Sequence, residues 1–159
     1  MAKTRGTAAK KTATKTAPKT AKNTRPKAAA PAPKGAPTLA DLRRIARAIV
    51  TATSVSDDKR MLSLYADAVE SEEAGQQPTY GIEAIKQKNE QWAKMVSDAR
   101  WHARNLWADG QTVIIEWEAQ LTLRPGGRKV LFRELAVHEV RGGKIVRERF
   151  YYDPSILGG

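Results

Sequence analysis

The sequence predicts an α+β domain in which three N-terminal helices pack on a curved antiparallel sheet, forming a cone-shaped barrel. Apolar residues recur at helical spacing between residues 39 and 96, and four alternating runs follow one another from residue 100 onward. The connectors between those runs contain glycine, which tight hairpins favour. Helices followed by a meander are typical of the α+β class. We assign residues 38–159 to this domain and residues 1–37 to a disordered tail.

Each predicted helix follows from its apolar spacing. Thr38 is a good N-cap with Asp41 three residues later, and a helical stripe follows at Leu39, Leu42, Ile45, Ala46, Ile49 and Val50. A second, short helix begins near residues 56–58 and carries Met61, Leu62 and Tyr65. Residues 68–72 are predicted as a short strand and residues 76–81 as a loop. A third helix carries Ile82, Ile85, Trp92 and Val96, with Asn89 in the same row.

The four predicted strands cover residues 100–107, 112–123, 129–140 and 144–152. Counting from the turns places Glu134 opposite Trp117 and Phe150, and Trp101 opposite Trp117. The less charged face collects Trp101, Ala103, Val113, Ile115, Trp117, Ala119, Leu121, Phe132, Glu134, Ala136, His138, Glu148, Phe150 and Tyr152. The other face collects His102, Arg104, Glu116, Glu118, Arg133, Glu139, Arg147 and Arg149. We therefore expect the first face to form the inner wall of a cavity.

The predicted cavity is apolar and aromatic with one internal acid. Its predicted lining consists of Trp92, Trp101, Trp117, Ala119, Leu121, Phe132, His138, Phe150 and Tyr152. Among aromatic side chains, Glu134 would lose its hydration, which raises the pKa of a carboxyl group. It is therefore the first candidate for a general acid or base, or for binding the polar end of a ligand. The alternatives are a structural role for His138, a Tyr152 partner for Glu134, and tryptophans that are simply core.

Several segments resemble the SnoaL-like branch of the nuclear transport factor 2 superfamily. They are SLYADAVESEEAG followed by PTYGIEAI, then VIIEWEAQL, then VHEVRGGKIVRERFYYDP. Relatives include limonene-1,2-epoxide hydrolase, ketosteroid isomerase and polyketide cyclases. The resemblance covers residues from about 39 to 159. It implies a cone-shaped fold, a small-molecule pocket on the inner face and a homodimer through the outer face, but the fold hosts enzymes and non-catalytic modules alike.

The family's catalytic groups are mostly missing from this sequence. The aspartate–arginine–aspartate group of the epoxide hydrolases falls on Ala119, Trp117 and Phe150, so the resemblance implies that epoxide hydrolysis is lost. The carboxylate base of ketosteroid isomerase is best matched by Glu72, the second catalytic candidate, whose alternative is a solvated loop carboxylate. The first helix lacks the tyrosine that donates to the oxyanion in that enzyme.

Residues 1–37 carry +10 of the net charge of +11. They hold no acidic residue and these basic ones: Lys3, Arg5, Lys10, Lys11, Lys15, Lys19, Lys22, Arg25, Lys27 and Lys34. The composition is similar to the lysine-rich tails of linker histones. Such a tail is expected to neutralise phosphates of nucleic acid without reading bases. The alternative is a solubilising extension.

The composition also excludes several classes of site. There is no cysteine and there are two histidines, so we expect no metal site, no disulfide and no cofactor. No apolar run is long enough to span a membrane, and no secretory signal is apparent, which favours a cytoplasmic, nucleoid-associated protein. Two functions remain open. One is a small-molecule-binding domain, with or without cofactor-free acid/base catalysis of the isomerase or cyclase kind; the other is a non-catalytic dimeric accessory protein whose tail binds nucleic acid.

Overall fold

A computed structural model describes residues 36–158, so the ten basic residues of the predicted tail lie outside the described part of the chain. The elements in chain order are α1 (Leu39–Ser54), α2 (Asp58–Leu62), β1 (Tyr65–Glu72), β2 (Thr79–Tyr80), α3 (Ile82–Met95), β3 (Val96–Asp109), β4 (Thr112–Leu123), β5 (Lys129–Arg141), β6 (Lys144–Tyr152) and a 3₁₀ turn (Pro154–Ile156). Within residues 36–158, no helix is both long enough and apolar enough to cross a membrane.

The sheet has the strand order β2-β1-β6-β5-β4-β3 and does not close on itself. The predicted α+β class, with three helices packed on a curved sheet, is confirmed. The sheet is mixed rather than wholly antiparallel, because β1 lies parallel to β6. These two strands are joined through α3 and four intervening strands, and no turn in the sequence reveals their pairing. This contact brings residues of β1 beside residues of β6, where the cavity's polar end forms.

The helices pack their apolar faces against the inner face of the sheet. The capping box at the start of α1 is confirmed, since the Thr38 hydroxyl accepts from the Asp41 amide at 3.2 Å and Asp41 accepts from the Thr38 amide at 3.1 Å. Leu42, Ile45 and Ile49 of α1 are buried in one core cluster with β4 residues. Helix α2 is as short as expected, but Tyr65 opens β1 instead of belonging to it.

Helix α3 ends earlier than the apolar spacing predicts. Val96 was placed on the helix by its spacing from Trp92, yet it begins β3 and lies opposite Leu123. The predicted first strand, residues 100–107, is therefore four residues too short at its start. Val96 is buried with Leu123 in a second core cluster, so its apolar character serves the sheet.

Two of the three hairpins have a register two residues away from the predicted one. The β4–β5 pairing is as predicted, with Trp117 opposite Glu134. In the β3–β4 and β5–β6 hairpins, two-residue turns replace the predicted three-residue turns, and a β-bulge follows within each ladder. Trp101 therefore lies opposite Ala119, and Glu134 lies opposite Tyr152 rather than Phe150. In each hairpin the altered turn and the bulge together leave a shift of two residues, and because two is an even number the predicted faces survive.

The two sheet faces differ as the sequence predicts. Inner residues such as Ile115 and Ala136 are buried. On the outer face, Arg104 and Arg133 both donate to Glu118, at 3.2 Å and 2.9 Å. The same outer face exposes large apolar side chains at Trp107, Leu131, Leu135 and Tyr151. The inner face thus packs against the helices and lines the cavity, and the outer face is exposed.

Candidate functional site

A cavity of about 470 Å³ lies between the inner face of the sheet and helices α1 and α3. Its volume is in the range of small-molecule sites in proteins. Seven of the predicted lining residues do line it: Trp92, Trp101, Trp117, Phe132, His138, Phe150 and Tyr152. Ala119 and Leu121 do not. They are buried in the second core cluster with Val96 and Leu123, so their predicted place in the lining is wrong.

The aromatic wall consists of Trp92, Trp101, Trp117, Phe132 and Tyr152. Trp101 is at its centre, with ring centroids 6.1 Å from Trp92, 5.8 Å from Trp117 and 5.9 Å from Phe132. Its contacts with Trp117 and Phe132 are edge-to-face, a favoured geometry for aromatic pairs. Phe132 continues the wall to Tyr152 at 5.1 Å. Helix α3 contributes Trp92 to this wall and the sheet contributes the rest.

Glu134 stands within the aromatic wall. It lies opposite Trp117 on β4 and opposite Tyr152 on β6, and its side chain lines the cavity. Within residues 36–158, its carboxyl group has no hydrogen bond or ion pair. Burial, together with the nearby carboxylates of Glu73 and Glu148 and against the opposing effect of Lys88, raises the pKa of Glu134 to about 8. At neutral pH this group is mostly protonated and is able to donate a hydrogen bond.

A second group of polar side chains, the ion cluster, consists of Tyr65, Ser71, Lys88 and Glu148. Glu148 is fully buried and accepts hydrogen bonds from the Tyr65 hydroxyl, from Ser71 Oγ at 2.7 Å and from Lys88 Nζ. Lys88 also contacts Ser71 Oγ at 2.9 Å. The donors come from β1 and α3 and the acceptor from β6. The parallel pairing of β1 with β6 therefore creates this cluster.

The charges of the ion cluster hold one another in the ionised form. Burial alone would raise the pKa of Glu148, but the Lys88 ammonium and the hydrogen bonds from Lys88 and Tyr65 lower it below the usual value. Burial would lower the pKa of Lys88, but Glu148 and Glu73 raise it above the usual value. Burial and the Glu148 charge raise the pKa of Tyr65 well above the ordinary value. The cluster is thus a buried ion pair with a neutral phenol.

Glu73 connects the ion cluster to the aromatic wall. Its carboxylate lies 3.1 Å from Lys88 Nζ and accepts a hydrogen bond from the Tyr152 hydroxyl at 3.1 Å. The sequence left open whether Tyr152 is the partner of Glu134. The structure pairs Tyr152 with Glu73 instead, although Tyr152 and Glu134 are register neighbours. Burial together with the Glu73 charge raises the pKa of Tyr152 strongly.

His138 lies at the closed end of the cavity and is only 1% exposed. Its Nδ1 is 3.9 Å from Glu148 Oε2, and neither ring nitrogen has a hydrogen-bond partner in the described part of the chain. Burial lowers the pKa of His138 to about 4, against the opposing effect of Glu148. Its ring meets Phe150 edge-on with centroids 6.2 Å apart. His138 is therefore neutral at physiological pH and faces the cavity as an unpaired polar group.

Glu72, the second catalytic candidate, does not reach the cavity. It lies on the opposite face of β1, where its carboxylate is 3.6 Å from Arg147 Nη2. The alternation of β1 sends Ser71 and Glu73 inward, and both of these residues line the cavity. The carboxylate that the sequence offers to the cavity from this segment is therefore Glu73, one residue later. The short strand predicted for residues 68–72, which includes Glu72, is the second half of β1.

Lys88 is the functional residue that the sequence analysis missed. It lies three residues after Ile85 and four before Trp92, on the same face of α3 as both. A lysine within a row of apolar helical positions predicts a buried ion pair, because a buried cation requires a partner. Its position over the Phe150 ring, with Nζ 4.4 Å from the centroid, adds a cation–π contact.

The described residues contain no group of three or more histidine, aspartate or glutamate side chains arranged to hold a metal ion. The cavity instead offers one ammonium, two lining carboxyl groups and the phenols of Tyr65 and Tyr152 within an aromatic enclosure. These groups bind, donate and accept protons. The site is therefore suited to holding an organic molecule and to exchanging protons with it.

Comparisons with known proteins agree with this geometry. The model of the family described as SnoaL-like domain matches residues 46–148. A proposed SnoaL-like polyketide cyclase from Mesorhizobium loti is similar in structure, with a TM-score of 0.60 and 26% identity over 70% of this chain and 98% of that one. An epoxide hydrolase of the limonene type from Mycobacterium tuberculosis has a TM-score of 0.61 and 22% identity, over 74% of this chain and 86% of that one.

A protein with a ketosteroid isomerase-like fold from Catenulispora acidiphila, solved in complex with trimethylamine, has a TM-score of 0.63 and 17% identity. The match covers 71% of this chain and 88% of the Catenulispora chain. No curated protein matches the chain in sequence. The matches establish the fold, and they leave the activity to be argued from the cavity.

Proposed function

Because the chain belongs to the SnoaL-like domain family, we propose that its cavity binds an apolar small molecule and that Glu134 exchanges a proton with it. The observation that carries the proposal is the carboxyl group of Glu134, which has no partner in the described residues and stands in an aromatic wall with a pKa near 8. A group that titrates close to the working pH is the most effective general acid or base. The reaction class that fits is cofactor-free isomerisation or cyclisation.

The epoxide hydrolase mechanism is not part of this proposal. The positions that correspond to its polar groups hold Ala119, Trp117 and Phe150, and two of these side chains line the cavity as hydrocarbon. Ala119 is buried behind the lining. The cavity can still enclose an apolar body, and Glu134 is the carboxyl group of its described lining that has no hydrogen bond or ion pair of its own.

The binding half of the proposal is tested by mass spectrometry of the purified protein, which should release a co-purifying small molecule on denaturation. As a probe, N-phenyl-1-naphthylamine should bind and quench tryptophan fluorescence. Trp101→Ala should weaken its binding by roughly tenfold, because one stacked aromatic contact is worth about 0.5–1.5 kcal/mol beyond its buried area. Glu116→Gln on the outer face is the matched control. Equal affinity for wild type and Trp101→Ala would contradict a ligand in this cavity.

The proton-transfer half is tested by deuterium incorporation. Incubation in D₂O should label the co-purified molecule in the presence of wild-type protein and not of Glu134→Gln. Because exchange begins with removal of a proton by the carboxylate, labelling should rise with pH as the carboxyl group of Glu134 ionises. Labelling that persists in Glu134→Gln would remove Glu134 from the chemistry and leave the binding proposal intact.

We also propose that two copies of the domain associate through the outer face of the sheet. Trp107, Leu131, Leu135 and Tyr151 are exposed there, and Leu135 lies opposite Tyr151 on adjacent strands. Sedimentation at micromolar concentration should show a dimer, and Leu135→Glu should make it monomeric. A wild-type monomer at that concentration would refute this proposal.

A second candidate function rests on the charge of residues 1–37. With +10 on this segment and +1 on residues 38–159, we propose that the segment attaches the domain to nucleic acid without sequence preference. Full-length protein should retard a DNA fragment at physiological salt, and a chain beginning at Pro37 should not. Equal retardation by both chains would exclude tethering by the tail.

A further inference from the structure

The cavity has more acidic than basic side chains. Within residues 36–158, its lining contains the carboxyl groups of Glu73 and Glu134 and a single cationic side chain, Lys88. Lys88 is already engaged by Glu148, Glu73 and Ser71. His138 adds no positive charge near neutral pH, because burial keeps it neutral. Lys88 offsets only one of the two carboxylates that it contacts, Glu73 and Glu148, so an incoming anion would meet a net negative charge even while Glu134 is protonated.

The aromatic wall surrounds the one carboxyl group that is not engaged. Trp117 and Tyr152 flank Glu134 on the two neighbouring strands, and Phe132 stands two residues away on the same face of β5. Aromatic faces carry negative partial charge and attract cations, and enclosures of aromatic side chains recognise quaternary and methylated ammonium groups. The protein already uses this attraction internally, where Lys88 Nζ lies 4.4 Å from the Phe150 centroid.

We infer that the ligand of this cavity is an organic cation, an alkylated ammonium group carried on an apolar body. The inference rests on the proposed binding function and specifies the charge of the ligand. The ammonium would lie against Trp117, Tyr152 and Phe132, within reach of Glu134. A carboxyl group next to a bound cation ionises more readily, so binding at neutral pH should release the Glu134 proton. Glu134 would then act on the bound molecule as a base.

The test compares two probes of nearly identical shape, phenyltrimethylammonium and tert-butylbenzene, which differ in the charge at the quaternary centre. We expect the cation to bind at least about tenfold more tightly, by tryptophan fluorescence and calorimetry. Calorimetry in two buffers of different ionisation enthalpy should show proton release on binding of the cation at pH 7. Glu134→Gln should abolish the proton release and bring the two affinities closer together.

The outcomes separate this inference from the proposed function. Equal or tighter binding of tert-butylbenzene would overturn the cation preference, and it would still support the proposal that the cavity binds an apolar molecule. Absence of binding by both probes would overturn the inference as well. A tenfold preference that is unchanged in Glu134→Gln, without proton release, would refute the role of Glu134 in cation recognition. Glu116→Gln, on the outer face, serves as control for the substitution itself.

Discussion

The ion cluster and the aromatic wall border the same cavity and treat a buried carboxyl group in opposite ways. Glu148 accepts three hydrogen bonds and faces an ammonium, so its pKa is lowered despite complete burial. Glu134, two residues from a fully buried phenylalanine, has no partner in the described chain, and its pKa is raised to about 8. Burial is common to both, and the donors decide the outcome. Glu148 is thus held by donors of the protein itself, whereas Glu134 has no such donor in the described chain, and the proposed ligand contact depends on this difference.

The largest effect should come from removing the cation of the ion cluster. Lys88→Met leaves Glu148 buried without its ammonium, and breaking such a pair costs about 3–5 kcal/mol. Urea unfolding should show a loss of that size. Lys86→Met is the matched control on α3, since Lys86 contacts Glu83 in an exposed i,i+3 pair and should cost at most about 0.5 kcal/mol. Equal losses in the two variants would remove the distinction between cluster and surface.

The next effect concerns acid sensitivity at His138. Its pKa in the folded state is about 4 against an ordinary 6.5, so the unfolded chain binds the proton first as pH falls. Stability should therefore decline below pH 6.5, by up to ~3 kcal/mol at about pH 4. The charged groups that face the His138 imidazole are Glu148 and Lys88. His138→Leu should lose less stability between pH 7 and pH 5 than wild type; parallel decline in both would contradict the assignment.

An effect of opposite sign belongs to Glu134. Its folded-state pKa is raised, so its contribution is fully present below about pH 4.5 and is lost as pH rises through about 8. Thermal melting at pH 9 should show Glu134→Gln more stable than wild type, by up to about 5 kcal/mol. At pH 6 the two should differ less. A variant that is less stable than wild type at pH 9 would mean that Glu134 has a partner there.

The smallest effect is expected at Glu72. Its pairing with Arg147 is partly exposed, and such pairs contribute less than about 1 kcal/mol. Glu72→Gln should leave both stability and probe binding within error of wild type. Weakened binding in Glu72→Gln would return this residue to the list of site candidates and would contradict its place on the outer side of β1.

The sequence was sufficient for the helices, the strands and the division of the sheet into two faces. Face assignment depended on alternation, and the errors in two turns were each offset by a bulge, so that Phe150 and Tyr152 still point inward. The depth of the cavity was harder to predict. Ala119 has the right parity but lies where the second core cluster fills the cone, and alternation contains no information about depth.

Hydrophobic periodicity does not predict the ion cluster, for a different reason. The cluster requires β1 to lie beside β6, a pairing without a connecting turn, and it requires α3 to turn Lys88 inward. Alternation places Glu148 on the inner face but identifies no partner for it. Lys88 was not considered, although its spacing from Ile85 and Trp92 places it on the buried face of the helix.

The long-range origin of the ion cluster has a kinetic consequence. Glu148 is separated from Ser71 by 77 residues and from Tyr65 by 83, so the cluster forms only when the parallel β1–β6 contact closes a long loop. Contacts of such high sequence separation form late on the folding pathway. Substitutions in the cluster should therefore accelerate unfolding and leave the refolding rate nearly unchanged. The ion pair of Lys88 and Glu148 should therefore slow unfolding and so lengthen the lifetime of the folded state.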